Sequence, residues 1–189
     1  MKKVRLGAGT YLIPMPVVLV GALVDGRPNF LTIAYCGVVS YKPPMIEVGL
    51  RKGRYTSAGI RENGTFSVNI PSEELIEATD YCGIVSGSKI DKSKLFEVFY
   101  GELETAPMIS ECPLNLECRL VQVLDLGGTH EVFIGEIVET HAGVEYVDGG
   151  RPDTESIKPF VFSASDDSYW GLGEKLAEAF NVGKGFTNG

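Results

Sequence analysis

Histidine is scarce in this chain, at two residues, and its four cysteines include no CxxC pair. Cys112 and Cys118 are the only two that lie close together, and His130 and His141 follow more than ten residues later. That pattern lacks the ligand spacing of a structural zinc site and the density of a disulfide framework. Buried, reduced thiols are the remaining reading, and no metal is expected. A basic surplus is also missing. The chain has 17 Lys and Arg against 25 Asp and Glu, a net charge of −8, which argues against nucleic acid or a membrane surface as partner. The best apolar run, residues 17–24, falls far short of the ~20 residues a membrane-spanning helix needs. Gly7, Gly9 and Pro14 interrupt any secretory apolar region, so a cytoplasmic location is expected. There is no glycine-rich dinucleotide fingerprint, since Gly7-x-Gly9 precedes no strand–helix–strand pattern.

What is present reads as an ordinary globular domain. A length of 189 residues with 44% hydrophobic and 22% charged residues suits a single domain, 1–189, with a real core. Residues 17–24 form a β-branched run that ends at Asp25-Gly26, a strong hairpin signal, so 29–39 should return antiparallel to it. Both runs are continuously apolar and are expected to be buried on both faces. After the Pro43-Pro44 corner, 45–50 is a third strand. A helix capped by Thr56 or Ser57 should then run to Asn63 and end at Gly64. Alternation marks 65–70 as a half-buried strand, and a second helix covers about 73–81. The Gly- and Ser-rich loop 83–92 follows. Residues 114–126 and 131–139 form a second hairpin across Gly127-Gly128, 160–162 a short strand, and 174–180 a terminal helix. Six or more antiparallel strands with a few short helices predict a mainly β fold, a closed or nearly closed barrel.

The chemistry concentrates in residues 26–56. Arg51, Lys52 and Arg54 cluster against the acidic background, beside the hydroxyls of Tyr55, Thr56 and Ser57 at a helix start, which is a place to hold a phosphate. The plainer reading is a solvated edge. In 29–40, small Ala34, Cys36 and Gly37 would let a planar ring approach main-chain N–H and C=O groups, unless they serve packing alone.

The order Pro16-Val-Val-Leu-Val, Asn29-Phe-Leu-Thr-Ile-Ala, Ser40-x-x-Pro43-Pro44, Leu50-Arg-Lys-x-Arg-Tyr-Thr56 and Phe66-Ser-Val-Asn69-Ile resembles the flavin reductase-like, FMN-binding split-barrel family. Tyr81-Cys82-Gly83, Ser86-Gly87, Asp91-Lys92, Glu117-Cys118, His130-x-x-Phe133-x-Gly135-Glu136 and Tyr169-Trp170-x-Leu172-Gly173 continue the likeness over roughly 10–184. It is nearest to the flavoredoxin-type members. The resemblance implies a Greek-key split barrel, a homodimer with one FMN per subunit near the interface. It implies that Asn29, Leu31, Thr32, Ile33 and Ala34 lie along the flavin, with Ser40 beside them, and that Arg51, Lys52, Tyr55 and Thr56 approach the phosphate. His130 matches a nicotinamide contact of the reductase branch, or is structural; Cys36 tunes the flavin, or only packs; Trp170 covers the ring from the partner chain, or is an ordinary aromatic. The activity implied is an NAD(P)H-dependent FMN oxidoreductase that passes electrons to a second flavin or a protein acceptor. The alternative is a non-enzymatic FMN-holding electron carrier reduced by a protein donor.

Overall fold

A computed structural model of the chain describes residues 1–186. Strands β1 (Met15–Pro16), β2 (Val18–Val24), β3 (Arg27–Ile33), β4 (Cys36–Tyr41) and β5 (Pro44–Arg51) lead into helix α1 (Tyr55–Asn63). Next come β6 (Thr65–Ile70), α2 (Ile76–Ile84), the short pair β7 (Val98–Phe99) and β8 (Met108–Ile109), and the long hairpin β9 (Leu114–Asp125) and β10 (His130–Ala142). The chain ends through β11 (Val147–Asp148), β12 (Arg151–Pro152), α3 (Thr154–Ile157), β13 (Phe160–Ser163) and β14 (Ser168–Gly171).

The main sheet has the antiparallel order β3-β2-β6-β9-β10-β5-β4. It curls around one core that includes Val20, Leu31, Val48, Phe66, Cys118 and Phe133, with Ile60 of α1 capping an end. Its two edge strands, β3 and β4, are consecutive in the chain. The curled sheet is therefore open along a seam where residues 34 and 35 cross from one edge to the other. The Tyr35 carbonyl accepts a hydrogen bond from the Gly49 amide of β5 at 2.7 Å, pinning that crossing. This is the split barrel expected from the sequence, mainly β with short helices.

The hairpin at Asp25-Gly26 forms as expected. Both residues have positive φ, 50° and 72°, the two-residue turn whose twist matches the strands. Gly64 closes α1 in the left-handed region at φ 65°. Four expectations need correction. The run 29–39 is not one strand: β3 pairs with β2 and β4 with β5, and on β4 both Val38 and Val39 are exposed. Helix α1 is preceded by Arg54 with no side-chain cap, and Thr56 lies inside its first turn. Strand β6 is buried on both faces, because the segment carrying β8 covers its polar side. There Asn69 donates to the Leu19 carbonyl (2.9 Å) and accepts from the Ile109 amide (3.0 Å) and the Asn115 side chain (2.8 Å). Finally, 174–180 is not a helix: 174–178 has no regular structure and 179–181 is a turn, with Leu176 and Phe180 in solvent. A helix that short is marginal without a face to pack against. A 3-10 turn follows at Val182–Gly185, and 187–189 lie outside the described residues.

A second, smaller core joins Leu19 and Phe30 to Cys82 of α2, Phe96 and Ile109. It fixes α2 and the 85–91 loop against the outer side of β3.

Candidate functional site

Where the seam opens, a cleft of about 230 Å³ forms. Its floor is the free edge of the chain from Leu31 to Tyr35; Gly49 and Arg51 of β5, with Arg54, form one wall, and His130 and Phe162 the others. On the other side of the same edge lies an apolar cleft of about 250 Å³, walled by Val17, Ile84, Phe162 and Tyr169. The two share Thr32, Ile33, Ala34 and Phe162, so they are the two ends of one depression. Each falls below the ~300 Å³ at which ligand pockets begin; joined, they lie inside the range. One end is cationic and the other apolar.

Arg51 ends β5 opposite His130 in the β5–β10 ladder, and Arg54 sits at the N-terminus of α1. Among the described residues neither arginine forms an ion pair. Burial first, then the charges of Arg51 and Arg54, hold the His130 imidazole below the usual histidine range. Its Nδ1 meets the Thr129 hydroxyl at 2.9 Å, and its ring lies edge-on to Tyr35, centroids 5.0 Å apart.

Beneath the 85–91 loop is a narrow polar notch lined by Arg27, Asn29, Tyr55, Gly87, Asp91 and Lys92. Asn29 donates to the Thr56 hydroxyl at 2.7 Å, while its own Oδ1 is buried without a partner. Lys92 is buried; its ammonium donates to the carbonyls of Phe30 (2.9 Å) and Cys82 (2.7 Å) and, among the described residues, forms no ion pair. Burial lowers its pKa, opposed by Cys82 and reinforced by Arg54. The Arg54 charge is thus felt by both His130 and Lys92, which ties the notch to the seam. Arg27, Arg54 and Lys92 gather around the notch with one carboxylate, Asp91, whose oxygens are taken up by Ser93 and Lys94, so an anion there would relieve repulsion between the cations. A Cβ at Gly87 would strike the Asn29 side chain and crowd the Tyr55 ring, so the loop closes over the notch only with glycine there.

The expected site residues divide into three groups. Leu31, Thr32, Ile33, Ala34 and Arg51 line the depression together with His130. Asn29 and Thr56 form the notch with the Tyr55 ring, whose hydroxyl donates instead to Asp25 at 2.7 Å. Lys52 and Ser40 line neither. Lys52 points away to an exposed ion pair with Asp125 at 2.7 Å, and Ser40 sits at the β4 bulge opposite Met45. The Thr32 hydroxyl is taken up by the Thr79 carbonyl, which leaves main chain as the polar surface of the floor. Cys36 packs against the core with its thiol pushed up to about 12, by burial first and Glu47 second. Trp170 is exposed and donates to Ser168 at 2.8 Å.

Sequence reasoning missed Lys92, Tyr35 and Phe162. Nothing local distinguishes Lys92 from other lysines except the preceding aspartate, which caps the turn at Ser93 and so aims the lysine inward.

Comparison with known proteins decides the family. The model described as "Flavin reductase like domain" matches residues 10–154. The chain belongs to this family. This flavin reductase-like chain is similar in structure to a flavoredoxin from Methanosarcina acetivorans, with a TM-score of 0.94 and 46% identity over 97% of this chain and 98% of that one. A flavoredoxin of Desulfovibrio vulgaris (Miyazaki F) gives a TM-score of 0.89 and 37% identity over 97% of this chain and the whole of the other. The reductase component of a 4-nitrophenol monooxygenase from Rhodococcus opacus is 32% identical over 67% of this chain and 65% of that protein.

Proposed function

We propose that the chain is an FMN-binding redox protein of the flavoredoxin type, passing electrons from reduced nicotinamide through bound FMN to a second flavin or a protein acceptor. The observation that carries this reading is the convergence of Arg51, Arg54 and Lys92, none of them in an ion pair among the described residues, beside a free strand edge and an apolar cleft. FMN has the matching parts: a dianionic tail, a planar ring with an amide-rich edge, and an apolar dimethylbenzene end.

FMN supplies the hydride- and electron-accepting ring; the chain supplies position and field. Arg51, Arg54 and Lys92 would hold the phosphate, with Asn29 and Thr56 beside it. Main-chain groups of Thr32 to Ala34 would hold the polar edge, and Ile84, Phe162 and Tyr169 would keep water from the apolar end. His130, whose imidazole is held below the usual histidine range by burial and the two arginines, can offer a hydrogen bond at the mouth. No general acid or base is required of the protein.

The likeness to two flavoredoxins favours a second reading, an electron carrier served by a protein donor, and the likeness to a reductase component favours the first. Anaerobic stopped-flow on the FMN-loaded protein separates them. Bleaching by NADH or NADPH within seconds supports the reductase; a flavin that neither nicotinamide reduces makes the protein a carrier. Failure to bind FMN at all ends both. Two copies of the chain are expected to work as a pair, as the resemblance implies.

A further inference from the structure

The single chain exposes far more surface than a chain of its size should. Its accessible area is 11868 Å², for a mass of 20.5 kDa. A compact monomer of that mass exposes about 8,900 Å², so roughly 3,000 Å² is in excess. An obligate homodimer removes on the order of 1,000–2,500 Å² from each chain, so the excess is what such a pairing needs. It has identifiable sources. After β14 the chain runs without helix or sheet pairing through residues 172–178 and turns at 179–181, and Leu176 and Phe180 are 98% and 97% exposed. Val182 and Phe186 are exposed as well. Seven extended residues reach about 25 Å, enough to run the length of a six-residue strand such as β4. Elsewhere on the same chain, the edge strand β4 presents Val38 and Tyr41 at 74% and 85% exposure, with Val39 beside them. An apolar, unpaired edge is a surface that folded proteins keep covered. Besides the exposed N-terminal segment with Val4, Leu6 and Leu12, the chain thus carries an apolar arm and an apolar edge, and a second copy brings the complement of each.

We propose that the arm 172–186 of one subunit packs on strand β4 of a second copy, reciprocally, and so roofs the partner's cleft. The arm leaves from the Tyr169 side of the depression, and β4 continues directly from Tyr35 on the opposite side, so a chain laid along β4 passes over the mouth of the seam. This deepens the pairing of copies in the proposed function, and it is tested without flavin so that its failure is separate from a failure to bind FMN.

Dimer dissociation constants are measured by sedimentation equilibrium on the full flavin-free chain and on two double variants, Leu176→Glu with Phe180→Glu, and Val38→Glu with Tyr41→Glu. All four positions are solvent-exposed in the single chain, and far-UV circular dichroism checks that each variant is folded. Each pair should weaken the dimer by about 30-fold or more, as loss of a buried anchor does. The four-site combination should be no weaker than either pair within about threefold, because both remove the same contact. A full chain that stays monomeric at tens of micromolar, an arm variant that dimerises normally, or additive losses would each overturn the proposal. A photo-crosslinking phenylalanine at position 180 of the full chain gives an independent reading. Crosslinks should join two chains, at a peptide containing residues 38–41; crosslinks within one chain, or to another surface, refute it.

Discussion

Replacing Arg51 by alanine tests the anion end of the site directly. Among the described residues Arg51 and Arg54 face the seam without a carboxylate partner, so each can make a charge-assisted contact to a phosphate. Such a contact is worth about 1.5–3 kcal/mol, roughly a 10- to 150-fold loss of affinity when it is removed. Riboflavin has the same ring and no phosphate, so its affinity should stay within about twofold. Lys52→Ala is the internal control. Its ammonium is exposed and paired with Asp125 at 2.7 Å, so its removal should cost about 0–1 kcal/mol of stability. FMN affinity should hardly change. A second consequence has the opposite sign. In the flavin-free protein Arg54 adds to the repulsion on Lys92 and His130, lowering the pKa of both, so Arg54→Ala should not lower the melting temperature of that form although it weakens FMN. Flavin-fluorescence titration with both ligands, together with thermal melts of the flavin-free proteins, reads all of these. Equal losses for FMN and riboflavin, or a Lys52 variant as impaired as the Arg51 variant, would refute the placement of the phosphate.

Three further outcomes are expected. Lys92→Met should reverse its relative stability trend with pH. Burial lowers the native Lys92 pKa, so between that value and 10.5 the unfolded chain holds more protons, and the parent gains stability relative to the variant as pH rises; urea melts at pH 7 and 9.5 should show that gain, and a constant gap would contradict it. Thiol labelling of the native protein at pH 8 should be slow at Cys36, the one partly exposed cysteine, and slower still at Cys82, Cys112 and Cys118. Burial raises all four pKa values, Cys36 to about 12 and Cys82 to about 11, so their stabilising effect is full below pH 9 and fades as pH climbs through those values; melting temperatures that hold steady above pH 9 would count against it. Gly59→Ala should destabilise by about 1–3 kcal/mol, since a methyl there meets the Leu23 carbonyl and Val24 where α1 lies against β2. An unchanged melting temperature would mean that the helix can lift away at no cost.

Local chemistry was legible where a residue's own backbone preference decided the outcome. Asp25-Gly26 turns the first hairpin and Gly64 ends α1 because few other residues accept a positive φ at those points. The hairpin of β9 and β10 was equally plain from alternation and the glycine pair between them. What stayed hidden depended on distant neighbours. Nothing in the composition of 29–39 marks the point where the chain changes partner from β2 to β5, because both strands are β-branched and apolar. The polar positions of β6 look solvent-facing until the β8 segment is seen to cover them with Asn69 at the centre. Residues 174–180 have helical spacing but no surface of their own chain to receive it. At the site, the cluster at 51–56 was readable as cationic, but the direction of each side chain was not. Lys52 turns out to Asp125, and the missing cation arrives from Lys92, far along the chain.

The location of the site follows from the failure of the sheet to close. An edge strand carries main-chain donors and acceptors that need partners, and in a closed barrel β4 would provide them for β3. Here the chain crosses the seam within two residues, and Lys92 meets the free edge at Phe30 while the next part of the edge, from Thr32 to Ala34, faces the depression. A planar ligand whose rim alternates donors and acceptors can stand in for the absent strand, and it is held by groups that cost no side-chain ordering. Specificity for a phosphorylated ligand then needs only cations at one end, where Arg51 and Arg54 enter from β5 and α1. The same geometry explains why the sequence shows no catalytic triad or carboxylate pair. Positioning by main chain and field is what such a ligand requires, and these depend on where strands end more than on which side chains they carry.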